Sequence, residues 1–332
     1  MNATMKLENE KHFPVLLEKL ISIISPLYGG TFIDCTFGQG GYSKKILENK
    51  YNNIIAIDRD VKSLEISKKF EKKYKNRFKF ENIKFSEINR IKTNKNILKG
   101  IIFDLGYSTA QIKDPEKGLS FLSKGKLNMQ MGLNEFSANE IVNDFDQSSL
   151  SKIFYSFGDE KKANNIARKI INFRKSKNIE TQDLVKIIDS VYKKKFKKIH
   201  NSTKVFQALR IFVNKEISEL IESLISSFKL LPKGGVIVVV SFHSIEDKIV
   251  KYFFHHYSQN KNSSRYLPEK ERKKILFYLP QKKPLIPEKY EVLKNPPSRS
   301  AKLRYAIKIN ENQDFSDFKK KFKYLLDIEK IC

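Results

Sequence analysis

Two cysteines, Cys35 and Cys332, cannot build a disulfide framework or a thiolate zinc cage on their own. That argues against the disulfide-stapled secreted classes and for a reducing setting, with Cys35 read as a small core residue. No window reaches the ~18 apolar residues of a membrane span, and the amino-terminal stretch "MNATMKLENEKHF" has no apolar signal core. A cytoplasmic protein with no membrane partner is expected. Acidic residues are scarce as well: 37 Asp+Glu stand against 64 Lys+Arg, a formal +27. Such an imbalance favours a polyanion, most often nucleic acid, because released counterions drive that binding. A Lys-, Asn- and Ile-heavy codon usage would produce the same numbers without any function.

The 332 residues, 40% of them hydrophobic and 12% aromatic, suffice for a large buried core in one or two domains. Short β-rich runs alternate with helical patterns, the signature of a parallel sheet with crossover helices. Strands are predicted at 31–37, 53–60, 78–85 and 100–107, then at "GGVIVVVSF" (234–242) and "KLRYAIKIN" (302–310), with a short one at "ILFYLP". From about Ile112 to Lys204 the apolar residues recur at helical spacing instead, as in Leu150, Ile153, Phe154 and Phe157. The expected organisation is therefore an α/β core in two parts, 1–111 and 205–332, interrupted by a mostly helical domain at 112–204. A single helix is predicted over "VFQALRIFVNKEISELIESLISSF", another over "SIEDKIVKYFFHHYS", and a terminal helix from Phe315.

In an open α/β sheet, ligands sit at the carboxyl ends of the strands where strand order reverses. Four candidate groups occur at successive strand ends. Gly38, Gly40 and Gly41 in "DCTFGQGGYS" allow close backbone approach to a ligand. A dinucleotide loop would read G-x-G-x-x-G, but Ser43 stands at the last position, which favours a ligand without a pyrophosphate. Asp58, about 20 residues on, would accept from both ribose hydroxyls. Phe85 ends the third strand and would wall an adenine ring or simply pack the core. Asp104 sits at the mouth of the fourth strand, with Gln111 shortly after. Together these suit an adenosine carrier with a charged amino-acid tail, such as S-adenosyl-L-methionine.

The blocks "HFPVLLEKL", "IDCTFGQGGYS", "AIDRD", "DLGYSTAQ", "DPEKGLSF", "TKVFQALRIFVNKE", "VVSFHSIEDKIVKYF" and "NPPSRSAKLR" occur in one order along nearly the whole chain. That series resembles the RsmH (MraW) family of bacterial small-subunit rRNA cytosine-N(4) methyltransferases. The resemblance implies a class I, Rossmann-like methyltransferase core with an inserted helical substrate-recognition domain. It also implies methylation of one cytidine in the decoding region of 16S rRNA, the rRNA being met within the small subunit; a homodimer is left open. Cofactor contacts would fall on Gly40, Gly41, Tyr42, Asp58, Phe85, Asp104 and Gln111. The chain departs from the family where Tyr42 replaces a His, where "DLGYSTAQ" replaces "DLGVSSPQ", and where "LNMQMG" (127–132) replaces "LDMRMD". Asn128, Gln130 and Gly132 thus lack three charges.

Amino-methyltransferases place an acid or amide plus an aromatic after the fourth strand, in a D/N-P-P-Y/F pattern. Asp104 and Tyr107 reproduce its two ends, so Asp104 is expected to accept from the target amine or the cofactor amino group, and Tyr107 to stack on the base. "NPPS" (295–298) mimics the same pattern but lies beside the last strand. Arg299, Lys302 and Arg304 are read as phosphate contacts, against a solvated basic edge, and "YKKKFKKIH" (192–200) as a second basic stretch. His243 is read as a structural hydrogen-bonding residue. Met129 and Met131 are expected to pack the insertion, and no metal site is expected because His255 and His256 lack companions. Rival readings are an amino-methyltransferase acting on DNA, a nicotinamide-dependent oxidoreductase, and an RNA-binding module with degenerate chemistry.

Overall fold

A computed structural model describes residues 14–107, 111–112, 114–123, 125–132, 134, 136–192, 200–258, 274–311 and 314–331. The strands are β1 (Thr31–Asp34), β2 (Asn53–Ile57), β3 (Phe78–Glu81), β4 (Leu98–Asp104), β5 (Val236–Ser241), β6 (Phe277–Tyr278) and β7 (Lys302–Lys308). They form one sheet in the order β3-β2-β1-β4-β5-β7-β6. β1 through β5 pair in parallel, while β7 runs antiparallel to both β5 and β6. The order reverses between β1 and β4, so the crossovers diverge there and open a crevice at the strands' carboxyl ends.

Every residue of β1 and β5 is buried, as expected for strands covered on both faces. Side chains alternate between two cores because successive Cβ atoms point to opposite faces. Phe32, Ile54, Ile102, Val238 and Val240 pack under α1 (Leu17–Ile24), α2 (Gly41–Leu47) and α3 (Ser63–Tyr74). Ile33, Ile55, Ile101, Phe103, Ile237 and Val239 face the other way. That second core is continuous with the helical stretch between β4 and β5. There α4 (Ala138–Asp144), α5 (Gln147–Gly158), α6 (Ala163–Phe173) and α7 (Thr181–Val191) bury Leu150, Ile153, Phe154 and Phe157, the positions whose spacing predicted helices, together with Leu184, Ile187 and Ile188.

The strand predictions overrun at their carboxyl ends. β3 stops at Glu81, and Phe85 opens a short 3-10 turn rather than ending the strand. The chain turns at Cys35–Thr36 and bends at Arg59, Ile83 and Gly106, just past the ladders, while the apolar run still reads as strand. The single helix predicted from Val205 breaks into α8 (Thr203–Val213) and α9 (Glu216–Leu230), with Lys215 at φ 49 between them. The terminal helix likewise divides at Phe322 into two short ones, residues 316–321 and 323–328. A further helix, Ser244–His256, follows β5. Most of "YKKKFKKIH" lies outside the described residues. Among those described, no helix is long and apolar enough to cross a membrane.

Candidate active site

A cavity of about 860 Å³ opens at the carboxyl ends of β1, β2, β4 and β5. Gly41, Tyr42, Asp58, Phe85, Asp104, Tyr107 and Gln111 all line it. Gly40 does not: the Phe37 and Phe70 rings occupy the space beside it, and its φ of 73 turns the chain into α2. Gly41 serves the roof, because a Cβ there would lie 2.3 Å from Pro14. Pro14 and Val15 cover one side of the cavity, and Lys294 to Pro297 cover another. These two segments are tied together: the Leu16 amide donates to Glu291 at 2.6 Å, and the Tyr42 hydroxyl donates to the Val15 carbonyl.

The floor is a set of interlocked carboxylates. Asp34, fully buried, accepts from Ser43 at 2.7 Å and from the Thr36 amide at 3.2 Å, and burial pushes it up to about 6. Asp58 accepts from the amides of Gly38 at 2.7 Å and Asp60 at 2.8 Å, which ties the glycine loop to β2. Gln111 and Lys117 both donate to Asp60, at 2.8 and 2.9 Å, so Gln111 is held from the far side of the cavity. Phe85 stands edge-on to Phe103, with ring centroids 5.9 Å apart.

Asp104 carries the strongest electrostatic signal. Burial, then the neighbouring Asp34 and Glu246 carboxyls, hold it well above the usual carboxylate range, while the Tyr42 hydroxyl partly opposes them. Its Oδ1 is enclosed and has no hydrogen-bond partner. A carboxyl in this state is matched to a cation or an N–H group entering the cavity, since an unpaired buried acceptor costs roughly 1–3 kcal/mol.

Tyr107 is fixed by residues that the sequence reading left out. Its hydroxyl donates to Glu216 at 2.5 Å, and the Arg210 guanidinium lies over its ring at 4.5 Å. Arg210 also grips Glu216 through two bonds of 2.9 Å. Burial alone would raise Glu216, but Arg210 and His243 outweigh it and bring the carboxyl down to about 2. His243 lies 3.1 Å from Glu246 and 3.8 Å from Glu216. Burial works against its protonation, yet the two carboxylates push the imidazole up to about 9. Arg210 and Glu216 flank the break between α8 and α9, while His243 and Glu246 come from the start of the helix after β5. Within the break, Asn214 accepts from the Met131 amide at 3.1 Å and donates to the Met129 carbonyl at 2.9 Å. The "LNMQMG" segment is thus held to the cavity wall by backbone bonds to Asn214. Met129 is buried in the core as expected, whereas Met131 also lines the cavity, which the packing expectation missed.

Glu216, His243 and Glu246 could present one ligand atom each to a metal ion, but Arg210 already occupies Glu216 bidentately. The cations predicted for phosphate lie away from the cavity lining. Arg304 is nearly buried and donates to Asp247 at 2.7 Å, Lys302 shares that carboxylate at 2.9 Å, and Arg299 is exposed. Asn295, Pro296 and Pro297 of the "NPPS" block do reach the cavity, as roof.

The MraW methylase family matches this chain over residues 9–309. Among curated relatives, "Ribosomal RNA small subunit methyltransferase H" of Orientia tsutsugamushi is 41% identical over 313 residues, covering 91% of this chain and 100% of the relative. The protein of the same name from Chelativorans is 39% identical and covers 93% of this chain and 90% of its own length. That from Ehrlichia canis is 39% identical, with 90% and 100% covered. The match spans both halves of the sheet, the helical stretch between them and the segments that roof the cavity, and the chain belongs to the MraW methylase family.

Proposed function

We propose that the protein methylates the exocyclic N4 amine of a cytidine in the decoding region of 16S rRNA, using S-adenosyl-L-methionine. The observation that carries this reading is Asp104, which lines the cavity with Tyr107 at the end of β4 and keeps one buried carboxyl oxygen, Oδ1, without a hydrogen-bond partner. The names of the relatives support rRNA of the small subunit as substrate.

The lining fits the cofactor. Asp58 would hold ribose hydroxyls, Phe85 would flank the adenine, and Gln111 would face the charged tail, with Asp104 between that tail and the target amine, open to an N–H of either. When bound, the cofactor supplies a methyl group already activated on a sulfonium. The protein's own task is then positioning, which can contribute several kcal/mol. Asp104 would accept an N–H from the target amine or from the cofactor amino group; on the target amine this helps to localise the lone pair. Tyr107 offers a ring that Glu216 and Arg210 keep from turning. The Pro14–Val15 and Lys294–Pro297 segments keep bulk water from the reacting groups. Residues 112–204 would recognise the substrate, and exposed Arg299 would meet phosphate, whereas Lys302 and Arg304 are already committed to Asp247.

The test is methyl transfer to small subunits, naked 16S rRNA and DNA, followed by nucleoside mass spectrometry. N4-methylcytidine at a single rRNA position is the expected result. Transfer to DNA alone, or methylation of a ring carbon, would overturn the reading.

A further inference from the structure

We infer that the surface formed by residues 281–300 is the docking platform for the rRNA strand flanking the target nucleotide; this rests on the rRNA reading above. The stretch holds Lys282, Lys283, Lys289, Lys294 and Arg299 against two acids, Glu288 and Glu291. Neither acid is available to them: Glu291 is buried and accepts from Leu16, and Glu288 pairs with Lys19 at 3.4 Å. Among the described residues, Lys283, Lys289, Lys294 and Arg299 make no ion pair. This contrasts with Lys302 and Arg304 close by, whose charges Asp247 already answers.

The same stretch exposes apolar side chains. Leu293 is 82%, Ile286 58% and Tyr290 53% exposed. Single exposed apolar residues are ordinary, but several on one short segment mark a binding surface. Unanswered lysines interleaved with a free aromatic face suit single-stranded RNA, which offers phosphates at regular spacing and bases that stack on rings. A protein partner would more often meet a surface depleted of lysine.

The platform is anchored to the sheet and to α1, and it leads to the site. Leu285 exchanges two backbone hydrogen bonds with Leu303 of β7, at 2.9 and 2.8 Å. Lys19 donates to the Ile286 carbonyl at 2.8 Å. Lys294 to Pro297, at its far end, form the cavity roof. A strand laid along it therefore arrives at the cavity mouth, so one nucleotide can turn in while its neighbours stay outside.

Two variants test this, Y290A/L293A and K283E/K289E, in methyl transfer to small subunits and to naked 16S rRNA. Both should raise KM for rRNA by at least about fivefold, the lower end for one lost stacking contact. They should leave kcat, the thermal midpoint and the cofactor-induced thermal shift unchanged. K283E/K289E should also flatten the dependence of log K on log salt by about 1.4, roughly 0.7 for each of two lost phosphate contacts on a single strand. Wild-type transfer matched by both variants would overturn the platform and leave the rRNA reading intact. Absence of wild-type transfer to any rRNA would instead overturn that reading. A defect on assembled subunits but not on naked rRNA would assign the surface to a ribosomal protein and refute the RNA contact.

Discussion

Asp104 and Tyr107 stand side by side but are held in opposite ways. Asp104 has an unpartnered oxygen and a carboxyl raised by burial, Asp34 and Glu246. In the free protein it is neutral below that raised pKa, and a bound cation favours the carboxylate. Cofactor affinity should therefore tighten as pH rises toward the Asp104 pKa, with a proton released on binding. Calorimetry in buffers of different ionisation enthalpy reads that proton, and Asp104→Asn should abolish it. Asp104→Ala, which removes the acceptor that an amide would keep, should lower kcat by about 10- to 10²-fold, the equivalent of a lost hydrogen bond of roughly 1.5–3 kcal/mol. Tyr107, in contrast, has its hydroxyl committed to Glu216. Tyr107→Phe removes only that bond, which contributes about 1 kcal/mol, and should keep most activity. Tyr107→Ala should raise KM for rRNA if the ring stacks on the base. Equal kinetics for the two variants would show that the ring is not a stacking surface.

At the scale of elements, α9 has an unusual start. Lys215 is left-handed, and the first free amides, those of Ile217 and Ser218, donate to Glu329 at 2.8 and 2.9 Å. Burial outweighs those bonds and pushes Glu329 up to about 7. The folded pKa thus exceeds the unfolded one, about 4.3. Stability from proton uptake is fully present below that value and lost as pH rises through 7. Glu329→Gln should gain on the wild type from pH 4.5 to 8, by roughly 3 kcal/mol at most. Thermal midpoints of the two proteins across that range provide the check, and a constant difference would refute the carboxyl's titration. Neither this cap nor the α8–α9 break could be read in the sequence. The apolar period runs unbroken from Val205 to Phe228, and the carboxylate that closes the helix comes from more than a hundred residues away. The strands were legible because runs such as "VIVVV" are buried on both faces. So was the position of Asp58 and Asp104 on the cavity lining, because strand ends beside a reversal of order open onto the crevice. Glu216, Asn214 and Glu246 were not, since only the folded chain brings their segments to the cavity. Arg304 looked like a phosphate ligand because Asp247, its partner, is 57 residues away in sequence.

For the whole molecule, the +27 charge sets how association depends on ionic strength. If six or more phosphates are neutralised, raising salt from about 50 to about 200 mM should weaken rRNA association by about 10³-fold or more. Cofactor binding inside the cavity should change little over the same range. A binding isotherm for rRNA that ignores salt would show that the charge reflects composition alone.

The roof over the cavity joins Pro14 and Val15 to Lys294–Pro297, with the Leu16–Glu291 bond between them. This gives the enzyme a timetable. A nascent chain that has emerged as far as β5 already displays every strand end that reads the cofactor, yet its pocket lies open on the side that the later residues close. Competence to hold the methyl donor should come late in synthesis, so that an incomplete translation product would not sequester it.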